Sequence, residues 1–448
     1  MTRDEAKRLL DRILSKAGSA QAEVTLGGGV SCLTRFANNE ITQNVAESRH
    51  VVSVRVADGK RSGRATGNDL SDAGLSRLLA RAGEAARIAP ESESALPLLG
   101  PQRYREVDAV DQNTATLGAD ARAREVGRAV ARTLAEGLDG AGIYETGHGT
   151  IGDYGELGTL AIANTAGLFA YHDETTATFS ISALRGTESG WARADSHAAS
   201  DIDGDALAAL AVEKALRARA PIAWEPGRYD VVLEPAAVSD LLQEMNYLSF
   251  GALALQEGRS FLTGAIGKQV LGESITIRDD PYHPLHRGSP FDGEGVPTVP
   301  VTIIERGVAR GPVHDRSSAA KVGEESTGHG LAYPNTIGPM ARNLLLEGGE
   351  ATLDELVAGV ERGLLVTRVW YTNVVEPKSV TVTGMTRDGL FAIEKGRIRH
   401  GIKNFRFNQG VVAMLQQVDG MTAPVRAGAT VCPALRVRGF NMSSGTEF

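Results

Sequence analysis

Glu23-Val24-Thr25-Leu26-Gly27-Gly28-Gly29, followed by the β-rich runs Cys32 to Ile41 and Val51 to Val56, decides the fold class. The runs are separated by Gly27-Gly28-Gly29, Asn38-Asn39 and Asp58-Gly59, residue types that supply the backbone conformations of tight turns, so the segment reads as an antiparallel meander. A helix precedes it. Thr2 and Glu5 have capping-box spacing, and Ala6, Leu9, Leu10, Ile13 and Leu14 recur at helical intervals until Gly18. A second helix, marked by Leu75, Leu78, Leu79 and Ala82, must end before Pro90. Pro90 to Pro101 then reads as a linker.

The same order recurs downstream: a helix with Val126, Ala129, Val130 and Leu134 on one face, strands from Thr159 to Leu184, and a helix with Leu207, Leu210, Ala211 and Ala215. Ser62-Gly63-Arg64-Ala65 and Ser189-Gly190-Trp191-Ala192 occupy corresponding places, which suggests a weak pseudo-repeat. Arg217 to Pro226 marks the next boundary. Beyond it, Tyr229 to Leu233 reads as a strand leading into a helix that starts at Pro235 and buries Val238, Leu241, Leu242 and Met245. Short strands follow at Ser274 to Arg278, Thr298 to Glu305, Val369 to Tyr371, Ser379 to Thr383, Leu390 to Glu394 and Leu435 to Phe440. A capping box at Thr352 and Glu355 opens one more helix, which Gly363 would stop. The expected architecture is α+β: two smaller helix-plus-antiparallel-sheet modules, residues 1–95 and 102–220, and a large β-rich C-terminal domain, residues 224–448.

Composition narrows the function classes. The chain has 448 residues, 42% apolar and 23% charged, which excludes disorder as the overall class, and its 52 glycines imply many tight turns. A net charge of −8, without long runs of one sign, argues against a nucleic-acid surface. Two cysteines, Cys32 and Cys432, give neither a disulfide framework nor a zinc ribbon and fit a reduced compartment. The charged start of the chain lacks a signal-peptide pattern, and no apolar run is long enough to span a membrane. The expectation is a cytoplasmic protein without nucleic-acid or membrane partners.

Gly147-His148-Gly149-Thr150-Ile151-Gly152 matches GxGxxG, but a strand follows where a dinucleotide site requires a helix, so it reads as a turn. His283 and His286 could offer two imidazoles beside Asp279 or Asp280, yet Pro284 breaks the frame between them, which favours a solvated loop. His314 and His329 read as surface histidines of loops. Between Met385 and Phe407, Arg387, Lys395, Arg397, Arg399, Lys403 and Arg406 outnumber Asp388 and Glu394. Arg387, Lys403 and Arg406 are therefore candidates for gripping a carboxylate or an acidic peptide. The competing reading is a solvated hairpin around Glu394-Lys395-Gly396-Arg397.

Several blocks together resemble the TldD/PmbA proteins, also described as TldD and TldE modulators of gyrase or microcin-processing proteases. They are Arg35-Phe36-Ala37-Asn38-Asn39-Glu40-Ile41-Thr42-Gln43; Ser289-Pro290-Phe291-Asp292-Gly293-Glu294-Gly295-Val296-Pro297 with Ser326-Thr327-Gly328; and Gly384-Met385-Thr386-Arg387-Asp388-Gly389 with Ile402-Lys403-Asn404-Phe405-Arg406-Phe407. In the catalytic branch of that family, an HExxxH helix and a later cysteine hold zinc for peptide hydrolysis. The matching window here is Gln243-Glu244-Met245-Asn246-Tyr247-Leu248, which keeps the glutamate and lacks both histidines. Cys432 lies closer to the last strand than the family's ligand cysteine and does not inherit its role.

The resemblance thus implies a TldE/PmbA-like, non-catalytic subunit of a cytosolic metalloprotease that processes unfolded peptides. The expectation is that it holds no zinc, and that it pairs with a TldD-like paralogue or with itself. Glu244 would be a helix-surface carboxylate. The alternative is a stand-alone peptidase or amide hydrolase, acting in specialised metabolism, with a site rebuilt from the His283/His286 loop or Cys32.

Overall fold

The computed structural model describes residues 1–92, 95–150 and 158–446. The first part of the chain forms α1 (Arg3–Leu14), β1 (Gln21–Ala37), β2 (Glu40–Asp58), β3 (Arg61–Gly67) and α2 (Asp72–Ile88). The capping box closes as read: the Thr2 hydroxyl accepts the Glu5 N–H, the Glu5 carboxylate accepts the Thr2 N–H, and Ala6, Leu9, Leu10 and Ile13 are buried. One reading is corrected. Gly27-Gly28-Gly29 does not separate two strands, because β1 runs straight through it. A Cβ on Gly28 would lie 2.0 Å from the Arg49 carbonyl oxygen of β2, and one on Gly29 would lie 2.1 Å from that of His148, so these glycines let neighbouring backbones approach.

The second part repeats the order with α3 (Gln112–Ala115), α4 (Ala119–Ala135), β4 (Asp139–Gly149), β5 (Ala161–Asn164), β6 (Phe169–Tyr171), β7 (Glu174–Arg185), β8 (Glu188–Ser196) and α5 (Gly204–Arg217). Both parts share one sheet, ordered β3-β2-β1-β4-β7-β8, with β5 and β6 branching from β1. The equivalent strands β1 and β4 meet antiparallel at its centre, from Gly29 opposite Gly149 to Phe36 opposite Gly142. The pseudo-repeat is therefore a pseudo-twofold arrangement. Each outer strand carries a glycine under the following helix. A Cβ on Gly63 of β3 would meet Ala86 N at 2.2 Å and Ala82 O at 2.4 Å, and one on Gly190 of β8 would meet Ala211 O at 2.1 Å and Ala215 N at 2.5 Å. The cores interlock, with Phe36 of β1 buried among α4 and β7 side chains and Ala161 and Ala163 of β5 buried among those of α1 and α2.

In the third part, β9 (Gly227–Leu233) leads into α6 (Pro235–Met245), whose first position is Pro235 and whose Val238, Leu241, Leu242 and Met245 are fully buried. The strands Arg362–Glu376, β9, Leu435–Gly445, Phe405–Gly410 and Thr381–Glu394 are neighbours in that order. Arg362–Glu376 also pairs with Thr381–Glu394, so the five strands close into a ring. Those two long strands absorb the short ones read at Val369, Ser379 and Leu390. Bulges near Val366, Trp370 and Val374 interrupt their alternation, which is why the sequence pattern divides them. Gly363 lies inside the first of them, and the helix Leu353–Ala358 ends instead at Gly359. A second mixed sheet packs its Ile277, Ile304, Leu344 and Leu346 with the α6 face in the main core.

Candidate functional site

The window Gln243 to Leu248 straddles the end of α6. There the backbone leaves the α form and makes a π-turn over Asn246–Phe250. Positions five apart in an α-helix point about 140° away from each other, whereas the wider π-turn brings them toward one face. The HExxxH spacing needs that widening, and this chain keeps it with other side chains in place. The Gln243 amide donates to the Thr430 hydroxyl at 2.7 Å, and the Asn246 amide donates to the Ala341 carbonyl at 2.7 Å. Leu248 packs against the main core. Glu244 is half-buried and accepts from the Thr372 hydroxyl at 3.0 Å, so it is not the free helix-surface carboxylate expected.

Zinc requires nitrogen, sulfur or carboxylate donors, and neither Gln243 nor Leu248 supplies one suited to it. Among the described residues no group of three or more His, Cys, Asp or Glu side chains is placed to hold a metal ion. Cys432 is buried, its sulfur is 3.4 Å from the Pro235 carbonyl oxygen, and burial pushes its thiol pKa up. The residues at the ends of this window do not fit a zinc centre.

A groove of about 470 Å³ runs beside the window, lined by Trp191, Asp240, Gln243, Arg368, Trp370 and Thr372 among others. One wall is an alternating stack: the Arg368 guanidinium lies 4.7 Å from the Trp191 ring and 5.8 Å from the Trp370 ring, and Arg387 covers Trp370 at 4.7 Å. Arg368 also donates through Nε to Asp388 at 2.9 Å. Trp191 belongs to β8 and Arg368 to the C-terminal ring, so the stack ties two parts of the chain together. The ion pair Lys214–Glu234, at 2.6 Å and largely buried, does the same between α5 and the start of α6.

Arg387 is thus engaged with Trp370. Arg406 stands opposite Met385, two residues from Arg387, at an exposed position of a strand that buries Phe405 and Phe407, while Lys403 is half-buried in the segment before that strand. The hairpin around Glu394-Lys395-Gly396-Arg397 is present, with positive φ at Lys395 and Gly396.

The histidine readings need correction. His286 is buried, its Nε2 lies 3.0 Å from the Leu344 carbonyl oxygen, and burial pushes its pKa down to about 4, so this is not a solvated loop. The His283 ring centroid is 6.2 Å away. His314 and His329 are 6% and 1% exposed and are not surface groups. The His329 imidazole stands 2.9 Å from the fully buried Asp279 carboxylate and 2.9 Å from the Thr327 hydroxyl. The C-terminal loops fold over one another, which a loop-rich sequence does not reveal. Gly147 and Gly149 are strand residues rather than a turn, and Ile151 and Gly152 lie outside the described residues. Cys32 is half-buried in mid-strand on β1.

Sequence pattern gives no sign of the polar seam between the first sheet and the C-terminal domain. The His197 Nδ1 lies 2.8 Å from the Thr175 carbonyl oxygen, and its Nε2 faces both the Arg426 guanidinium and the His286 carbonyl oxygen. His172 is 4% exposed. Burial holds both His172 and His197 near a pKa of about 4, and for His197 the Arg426 charge adds to it. These residues are spread along the chain, and only His172-Asp173-Glu174 clusters in sequence.

Family models match all three parts of the chain: PmbA/TldA metallopeptidase domain 1 over residues 22–86, the central domain over 112–219 and the C-terminal domain over 226–444. A metalloprotease of Methanothermobacter thermautotrophicus is 27% identical over 224 residues, covering 49% of this chain and 48% of its own. A metalloprotease TldD homolog of Haemophilus influenzae is 28% identical over 227 residues, covering 49% and 46%. The alignments span about half the length of these curated relatives. The crystal structure of TldE from Thermococcus kodakarensis superposes with a TM-score of 0.82 at 20% identity, over 98% of this chain and 99% of that one. Among the described residues no helix is long and apolar enough to cross a membrane.

Proposed function

The chain belongs to the TldD/PmbA metallopeptidase family, and from that premise we propose that it is a TldE/PmbA-like, non-catalytic subunit of a cytosolic metalloprotease that processes unfolded peptides. Its partner would be a TldD-like paralogue carrying the HExxxH helix, and that paralogue alone would hold the zinc. The observation that carries the reading is the occupied window. Gln243 is committed to Thr430, Leu248 to the core and Glu244 to Thr372, so the π-turn frames a hydrogen-bonded and apolar surface. A carboxylate base has no metal-bound water to activate there.

The test is co-expression of this chain with an HExxxH-bearing relative. The expected outcome is a stable complex whose peptidase activity requires both chains and whose zinc follows the relative. Failure to form a complex, or activity indifferent to this chain, would remove the subunit reading. Stoichiometric zinc in the purified chain, lost on changing His283 and His286 to Ala, would replace it with the stand-alone hydrolase.

A further inference from the structure

A second cavity, of about 400 Å³, opens at the seam between the first sheet and the C-terminal domain and shares Arg426 and Ala429 with the groove beside the Gln243 window. Four of its lining groups are carboxyls or guanidiniums, Glu174, Asp292, Arg342 and Arg426; burial pushes the Glu174 pKa up, and the Arg426 and Arg342 charges pull it part of the way back down. Two of the four are already used. Asp292 accepts the backbone N–H groups of Glu294, Val296 and Gly330 at 2.9, 2.9 and 2.7 Å, and Arg426 is spent on His197. The other two, the Glu174 carboxylate and the Arg342 guanidinium, hydrogen-bond no described residue, although the Arg426 and Arg342 charges both act on the Glu174 carboxylate. Beside them stands His172, 4% exposed, whose Nε2 has no hydrogen-bond partner among the described residues and lies 4.0 Å from the Glu174 carboxylate. Buried polar groups are ordinarily paired, so the buried unpaired imidazole of His172, beside the part-buried Glu174 carboxylate and with the exposed Arg342 guanidinium at the same cavity, marks a place for a ligand's own polar atoms.

The charges select the ligand. A polyanion would meet Glu174 and Asp292, and a simple cation would meet Arg342 and Arg426. A molecule with one carboxylate and one ammonium satisfies the free guanidinium and the free carboxylate at once and leaves the net charge of the cavity unchanged.

We propose that this cavity binds a small zwitterion of the α-amino acid type, either a free amino acid or a dipeptide with unblocked ends. Its carboxylate rests on Arg342, its ammonium rests on Glu174, and the His172 imidazole completes the polar wall. The site is independent of the subunit reading, and the purified chain alone suffices to test it.

Thermal shift against the proteinogenic L-amino acids and L-alanyl-L-alanine selects the best probe, and titration calorimetry then compares it with its N-acetyl and C-amide forms. The expected result is binding of at least one unblocked probe, weakened about tenfold or more by blocking either end. Arg342→Met should abolish the preference for a free carboxylate, and Glu174→Gln the preference for a free amine. Arg342 is exposed, so its replacement leaves the core untouched, and thermal melting verifies the fold of both variants. Absence of binding by every probe, equal binding of blocked and unblocked forms, or unchanged selectivity in both variants would overturn the proposal.

Discussion

Gln243 and Glu244 are adjacent in sequence and meet different partners, one a threonine of the second sheet and the other a threonine of the closed ring. For Glu244 this defines a test. Glu244→Gln keeps an oxygen that can accept from Thr372, so the change should alter stability by no more than about 0.5 kcal/mol. Peptidase activity of a complex with a catalytic partner should change by less than about twofold. A general base in that position would instead lose about a hundredfold or more. Denaturant titration and the complex's kcat/KM give both readouts. The sequence alone made the loss of the two histidines legible, since the absence of a donor side chain is read from residue identity without any geometry. It did not make Thr430 or Thr372 legible as partners, because each is more than 100 positions away and their proximity depends on how the ring closes.

At the scale of elements, glycine contacts hold α2 on β3 and α5 on β8. Gly190→Ala would put a methyl group 2.1 Å from the Ala211 carbonyl oxygen, and Gly63→Ala would put one 2.2 Å from the Ala86 nitrogen. Backbone on both sides leaves no flexible atom to yield. Each substitution should cost about 3 kcal/mol, with loss of fold as the extreme result. Gly127 in α4 is the control. A Cβ there meets nothing within 4 Å, so Gly127→Ala should stabilise by about 0.5–1 kcal/mol. Urea midpoints of the three variants order these effects. Capping boxes and apolar spacing made α1, α2, α4, α5 and α6 readable, because helix signals are local. The long strands of the ring were read in pieces, because bulges shift the face presented by each segment.

At the scale of the whole molecule, the seam between the first sheet and the C-terminal domain should respond to pH. His172, His197 and His286 are neutral in the folded chain, each with a pKa pushed down to about 4 by burial, against about 6.5 in an unfolded chain. Between these values the unfolded state binds protons that the folded state does not. Stability is therefore full above about pH 6.5 and falls as the pH drops toward 4, by at most about 3 kcal/mol per histidine. Urea midpoints should decline from pH 7.5 to 5, and a flat profile would remove the burial argument. This seam was invisible in the sequence, which placed His286 in a solvated loop and offered no reading of His172 or His197. Burial at a domain junction is a property of three-dimensional assembly rather than of local pattern.

The antiparallel contact of β1 with β4 has a further meaning. A half-length chain with one module would leave one edge of its central strand open, and two copies could cover it only by associating, to an extent set by their concentration. Here both halves are on one polypeptide, joined through the 90–111 segment, so the same strand pairing is intramolecular. Dilution cannot separate the halves. The shared sheet is in effect a tethered dimer, and the C-terminal domain rests on a platform whose assembly no longer depends on how much protein is present.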